Sequence, residues 1–230
     1  MNKFETSIIA IILVCVGMTV GMISAQYHTA PYSWMLRAEY SLVGHPLTDS
    51  DTYTQKLNLF KQSDKNSKVI MIGDSLTAYA DWSSLLKRTD VLNFGIQGDV
   101  SYGVLKRIDL DFLKGKQVFL MIGINDISNH VPYAVTVRNI ERIIDTLVKY
   151  NELYVFSILH TRNDSINIMV DQLNEAARKN CAEKCIYIDL NKTLFPSGIV
   201  DESNSNDDVH INNASYLKWA SVIQSLIQRN

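Results

Sequence analysis

The 230-residue chain is short of glycine (10) and proline (4). That excludes collagen-like repeats, Pro-rich rods and Gly/Ser linkers. No internal repeat or low-complexity tract takes their place. Runs of lysine or arginine are also missing. With 22 basic and 24 acidic residues the formal net charge is −2, so no nucleic-acid partner is expected. Cysteine is scarcer still: Cys15, Cys181 and Cys185. No His or Cys groups stand at zinc-site spacing, so no structural metal is expected. Cys181 and Cys185 form a C-x-x-x-C pair where a helix should end and a strand begin. They are read either as a disulfide or as two buried thiols.

What the chain has is apolar content, 47% of residues, ample for a core. Ser7 to Ala25 carries no charge and follows Lys3. Residues 1–25 are therefore read as a signal peptide or a single transmembrane anchor. Ile23-Ser24-Ala25 resembles a signal-peptidase site, while Val14 before Cys15 makes a poor lipoprotein site. On either reading the rest of the chain is exported: secreted or periplasmic if the segment is cut, membrane-anchored if it is not. Residues 26–65 read as a linker with packing helices. Pro31 opens one over Tyr32–Leu42, and the other spans Asp51–Gln62, with Tyr53, Leu57 and Phe60 on one face.

From Lys68 the pattern alternates. Strands are expected at Lys68–Ile72, Asp90–Phe94, Gln117–Ile122, Leu153–Leu159 and Ile186–Leu190. Helical stretches fall at Trp82–Lys87, Val100–Leu110, Pro132–Tyr150, Ser165–Lys179 and Ala214–Gln228. Five short apolar strands separated by helices imply an α/β fold, a parallel sheet covered on both faces. Right-handed crossovers bring the carboxyl ends of all strands to one rim.

Four polar loops collect there: Gly73-Asp74-Ser75-Leu76, Asn93-Phe94-Gly95-Ile96-Gln97-Gly98-Asp99, Gly123-Ile124-Asn125-Asp126 and Asp207-Asp208-Val209-His210. A serine needs a neighbouring base to act as a nucleophile. His210 is suited to take and return its proton. By spacing alone, either Asp207 or Asp208 reaches the imidazole and fixes its tautomer. Donors for an oxyanion are available in the amides of Ser75 and Gly98 and the side chain of Asn125. His160 also falls on the rim, and Tyr79 and Trp82 are candidates for a pocket wall. Asp74 reads as a turn former, and Asp126 as a support or a helix cap.

These four blocks resemble the GDSL/SGNH hydrolase family. The match runs through Gly73-Asp74-Ser75-Leu76, Gly98, Asn125 within Gly-Ile-Asn-Asp, and Asp207-x-x-His210, over about Lys68 to Arg229. The second block is similar to that of the branch akin to platelet-activating-factor acetylhydrolase. The resemblance implies a flavodoxin-like three-layer α/β/α sandwich over 66–230, with no metal and no organic cofactor. It implies Ser75 as nucleophile, His210 as base and Asp207 rather than Asp208 as its orienting group. It implies an oxyanion hole of Ser75 N–H, Gly98 N–H and the Asn125 side chain. The expected activity is that of a serine esterase acting on a short-chain or acetyl ester of a carbohydrate or lipid. Two alternatives use the same residues differently: an acyltransferase to a glycan hydroxyl, and a silent, membrane-tethered binding domain.

Overall fold

Strand β1 (Val69–Gly73) sends its side chains alternately into two cores. Val69 and Met71 enter one, Ile70 and Ile72 the other, as the two-residue strand period requires. The computed structural model describes residues 3–26, 30, 31, 34, 35, 51–108 and 111–227, with side chains from Ile12 onward in the first helix. β1 pairs in parallel with β2 (Val91–Gly95) on one side and β3 (Gln117–Met121) on the other. β4 (Glu152–Phe156) and β5 (Ile186–Ile188) extend the sheet in parallel, giving the order β2-β1-β3-β4-β5. The order reverses at β1. The crevice outside the carboxyl ends of β1 and β3 is therefore the switch point where an open α/β sheet binds its ligands.

Helices cover both faces. After β1 come α3 (Ser75–Ala78) and α4 (Trp82–Leu86); after β2 comes α5 (Ser101–Arg107). After β3 come α6 (Ile124–Ser128) and α7 (Tyr133–Leu147), and after β4 comes α8 (Asp164–Cys181). After β5 come α9 (Leu190–Leu194) and α10 (Asn213–Ile227). Trp82 of α4 and Trp219 and Ile223 of α10 fill the core on one face. Val104 of α5 and Ile140, Ile143 and Ile144 of α7 fill the other. The result is a three-layer α/β/α sandwich.

Before the sheet lie α1 (Lys3–Gln26) and α2 (Asp51–Lys61). α2 packs on the domain by Tyr53 and Phe60, both nearly fully buried. Phe60 stacks on Phe94 of β2 at 4.2 Å between centroids, and the Tyr53 hydroxyl donates to the Gly103 carbonyl at 2.7 Å. The described side chains of α1 expose a run of large apolar groups, among them Ile12, Leu13, Val16, Val20 and Ile23. Among the described residues no helix is long and apolar enough to cross a membrane. The helix expected over Tyr32–Leu42 lies outside the described residues apart from Trp34 and Met35, as do His28 and His45.

Two strands stop short of their apolar runs. β4 ends at Phe156 rather than Leu159, and β5 at Ile188 rather than Leu190. Side-chain amides take over from the ladder there. Asn174 accepts from the Ile158 N–H at 2.7 Å, and Asn191 from the His160 N–H at 2.8 Å. Cys181 and Cys185 are joined in a disulfide across the α8–β5 turn.

Candidate active site

Ser75 stands where β1 turns into α3. Asp74 caps that helix, its Oδ1 accepting from the Leu76 N–H at 3.0 Å. This turn packs hard against the end of β2. A Cβ on Gly95 would come within 2.3 Å of the Ala78 nitrogen, so a side chain there would push α3 away. Asn93 closes the other end of α3. Its Nδ2 donates to the carbonyls of Thr77 at 3.0 Å and Ala80 at 3.0 Å, and its Oδ1 accepts from the Gly95 N–H. Tyr216 of α10 adds a hydroxyl donated to the Leu76 carbonyl at 2.8 Å. The turn is thus held from β2 and from the last helix.

The Ser75 hydroxyl lies 3.0 Å from His210 Nε2, and His210 Nδ1 lies 2.8 Å from Asp207 Oδ2. Asp207 is itself anchored, since its Oδ1 accepts from the N–H groups of Val209 (2.7 Å) and His210 (2.6 Å). Partial burial alone would raise its pKa. The backbone donors of His210 and Val209, with the His210 ring, outweigh that and hold it down at about 2. Asp208 takes no part in this chain: its side chain is exposed, and its carbonyl accepts from the Arg162 N–H. Ser205 braces the loop from beneath, its hydroxyl lying 2.7 Å from the Asp207 carbonyl and 2.8 Å from that of His210.

Gly98 sits in a tight turn closed by the Asp99 N–H donating to the Ile96 carbonyl. Its φ of +74° is a region glycine enters without steric cost. Asn125, on α6, donates one side-chain N–H to the Asp99 carbonyl at 2.9 Å. That bond ties the Gly98 turn to the end of β3. Beneath the turn, Asp99 pairs with Arg107 at 2.9 Å, both side chains 1% exposed. Arg107 also donates to the carbonyl of Gly73, the residue just before Asp74, at 3.0 Å. Among the described residues no protein acceptor takes the N–H of Ser75, the N–H of Gly98 or the second amide N–H of Asn125. Three unspent donors therefore belong to the same three loops.

Sequence reasoning left other roles open, and the structure gives each of those residues a definite place. Trp82 is 1% exposed and belongs to the core, its indole N–H donating to the Thr77 carbonyl. His160 pairs with Asp171 at 2.7 Å in a separate cavity of about 510 Å³ with Tyr187 and Asp189. Asp126 is buried and supports α5, accepting from the N–H and hydroxyl of Ser101. Tyr79 is half exposed, its ring centroid 5.2 Å from that of His210. Asn93 and Arg107 as supports were missed. An asparagine two before a glycine at a strand end was their one local signal.

Two buried carboxyls near the serine make stability depend on pH. Burial raises the Asp74 pKa to about 7, against the Leu76 N–H bond and with help from Asp99 and Asp126. Burial likewise raises Asp126 to about 6, against its bonds from Ser101 and Thr136. In the unfolded chain both titrate near 3.9. Between about pH 4 and pH 7 the folded state therefore holds more protons than the unfolded one, and stability falls as pH rises. Asp207 has the opposite sign, but its loss comes below that window. Melting temperature is expected to decline from pH 4.5 to 7.5, with a shallower slope in Asp74→Asn. An unchanged slope in that variant would show that Asp74 ionises freely in the fold.

The comparisons with known proteins bear on the family and the fold. The model of the GDSL-like Lipase/Acylhydrolase family matches residues 71–218, well over half of the chain. The alpha1 subunit of platelet-activating factor acetylhydrolase IB from Rattus norvegicus is 27% identical over 181 residues, 72% of this chain and 77% of that protein. The human alpha2 subunit is 24% identical over 180 residues, covering 72% and 78%. Among solved structures, a lipolytic G-D-S-L family member from Veillonella parvula superposes with a TM-score of 0.62 at 21% identity, covering 71% of this chain and 99% of that one. The acetylxylan esterase Axe2 of Geobacillus stearothermophilus gives 0.57 at 19% identity, covering 70% and 94%. With its four loops on the rim of a β2-β1-β3-β4-β5 sheet, the chain belongs to the GDSL-like lipase/acylhydrolase family and is a carboxylic ester hydrolase.

Proposed function

We propose that the chain hydrolyses a short-chain ester, most simply an acetyl ester of a carbohydrate or lipid alcohol, through an acyl-enzyme on Ser75. The observation that carries this reading is the unbroken chain Ser75 Oγ–His210 Nε2 (3.0 Å) and His210 Nδ1–Asp207 (2.8 Å). His210 takes the hydroxyl proton as Ser75 attacks the ester carbonyl. Asp207, ionised across the neutral range, fixes the tautomer and stabilises the imidazolium. The unspent donors of Ser75, Gly98 and Asn125 receive the negative charge that develops on the carbonyl oxygen. Collapse breaks the bond to the alcohol, which leaves with the proton from His210. Water, deprotonated by the same imidazole, then releases the acid and restores Ser75.

The acetyl preference is supported by relatives and neighbours whose names carry acetylhydrolase and acetylxylan esterase. A chain-length series of p-nitrophenyl esters tests it. The rate should peak at acetyl or propionyl, and a peak on long chains would overturn it. In the same assay Asn125→Ala should lower kcat about 10²–10³-fold with little change in KM, as loss of one oxyanion donor does.

We propose on two grounds that the domain works outside the cytosol. The Cys181–Cys185 disulfide suits an oxidising compartment. The exposed apolar side chains of α1 support a signal peptide at residues 1–25 more than an anchor, since no described helix is long and apolar enough to cross a membrane; a linker over 26–65 and the catalytic domain over 66–230 follow. Fluorophosphonate labelling of fractionated cells should mark the protein in membrane or exported fractions; a band confined to cytosol would reject this placement.

A further inference from the structure

A cavity of about 700 Å³ opens beside His210. Tyr79, Asp81, Asn206, Asp207, His210 and Asn213 are among its walls, whereas Ser75, Gly98 and Asn125 are not. It lies on the side of the base and its orienting carboxylate, away from the oxyanion donors. This division decides which half of an ester reaches it. With the carbonyl oxygen on the donors of Ser75, Gly98 and Asn125, the leaving oxygen must face His210 Nε2 to be protonated. The group attached to that oxygen continues past the imidazole. Resting on the esterase reading above, we propose that this cavity is the subsite for the alcohol half of the ester and that the alcohol is a neutral carbohydrate.

Three features of the walls select that class. Tyr79 is 52% exposed, and its ring lies 5.2 Å from the imidazole at a tilt of 40°. It offers a flat apolar surface to the C–H face of a pyranose next to the proton donor. Polar groups share the rest of the lining with Leu85, Ile211 and Leu217. The Asn213 carboxamide makes no hydrogen bond among the described residues, and Asn206 makes a long one, 3.3 Å, to the Ile211 carbonyl. Asn213 is free to meet sugar hydroxyls, and Asn206 keeps its second amide N–H and its carbonyl oxygen for them; Asp81, which accepts the Ser84 hydroxyl, also lines the cavity. The charge is of one sign: the lining holds the carboxylates of Asp81 and Asp207 and no lysine or arginine. Hydrogen bonds from Ser84 hold Asp81 below the ordinary carboxylate range, so it stays anionic. A 2-acyl glycerophospholipid would bring its phosphate a few bonds from the leaving oxygen, against Asp207. A neutral polyol meets no such repulsion.

The test holds the acyl group constant and varies the alcohol. Acetate release is measured from ethyl acetate, a mono-O-acetylated methyl xylopyranoside and a 2-acetyl glycerophosphocholine. Wild type should show its highest kcat/KM on the sugar ester. Tyr79→Ala should lower the sugar-to-ethyl ratio of kcat/KM at least ten-fold and Asn213→Ala about three-fold. Tyr150→Ala, an exposed tyrosine outside the cavity, should leave the ratio unchanged. Because a ratio is read, a general loss of activity does not imitate the effect. The proposal is overturned if Tyr79→Ala leaves the ratio intact or if wild type prefers the phospholipid. Failure to release acetate from any of the three, together with no fluorophosphonate labelling, would remove the esterase reading itself.

Discussion

A Ser75→Ala variant is expected to lose ester hydrolysis by a factor of about 10⁴–10⁶ in kcat. Fluorophosphonate labelling should vanish with it. The variant should still fold, because the deletion is a single oxygen whose one recorded partner is His210 Nε2. The Asp74 cap, the Asn93 clasp and the Tyr216 hydroxyl that hold the turn do not involve the Ser75 side chain. His210→Ala should fall to a similar floor, and the double variant little further, since a nucleophile and its base act as a unit. The residual rate should exceed that in water, because the donors of Gly98 and Asn125 survive. Circular dichroism and an ester assay on the same samples check both parts. Retention of more than a tenth of wild-type kcat in Ser75→Ala would refute the acyl-enzyme.

The largest effect on stability is expected at Arg107→Met. Removing the guanidinium strands Asp99 in the core, where both side chains are 1% exposed. Breaking a buried pair from one side costs about 3–5 kcal/mol. For a chain of this size that is a melting shift of about 6–20 °C. Arg107 also holds the Gly73 carbonyl, so the Ser75 turn and the Gly98 turn should loosen together and kcat should drop. Arg107→Lys is not expected to rescue. A single ammonium cannot keep both the Asp99 carboxylate and the Gly73 carbonyl in the flat geometry of a guanidinium. The double variant Arg107→Met/Asp99→Leu should recover most of the stability, because no charge is then left unpaired. Urea denaturation measures all three, and a loss below 1 kcal/mol in Arg107→Met would contradict this account.

The sheet was legible because its signals are local and redundant. Val69 to Ile72 is an apolar run ending in glycine, and four similar runs follow. The helix from Tyr133 to Leu147 shows itself by the spacing of Ile140, Ile144 and Leu147. Two short helices were not legible. Ser75–Ala78 and Ile124–Ser128 are too brief for a period to register, and they exist because Asp74 and the packed strand ends impose them. The choice between Asp207 and Asp208 was open by spacing, since both lie within reach of one ring. Geometry separates them: Asp207 takes the N–H groups of Val209 and His210, which aims its second oxygen at Nδ1. The Asp99–Arg107 pair was hidden for another reason. Two charged residues eight apart read as solvated, and their burial depends on Tyr53 and Phe60 of α2, far back in the chain.

The proposed nucleophile and its base are 135 residues apart, with Ser75 early in the domain and His210 almost at its end. Synthesis runs in one direction at about 5–20 residues per second. The base therefore leaves the ribosome roughly 7–27 s after the serine it activates. For that interval the emerging chain carries an ordinary alcohol, and the hydroxyl of Tyr216 that steadies its turn is missing as well. A chain cut short between Ile188 and Asp207 would stay in that condition, with all five strands present and no base to activate the serine. On the proposed mechanism, reactivity is thus among the last properties the polypeptide acquires.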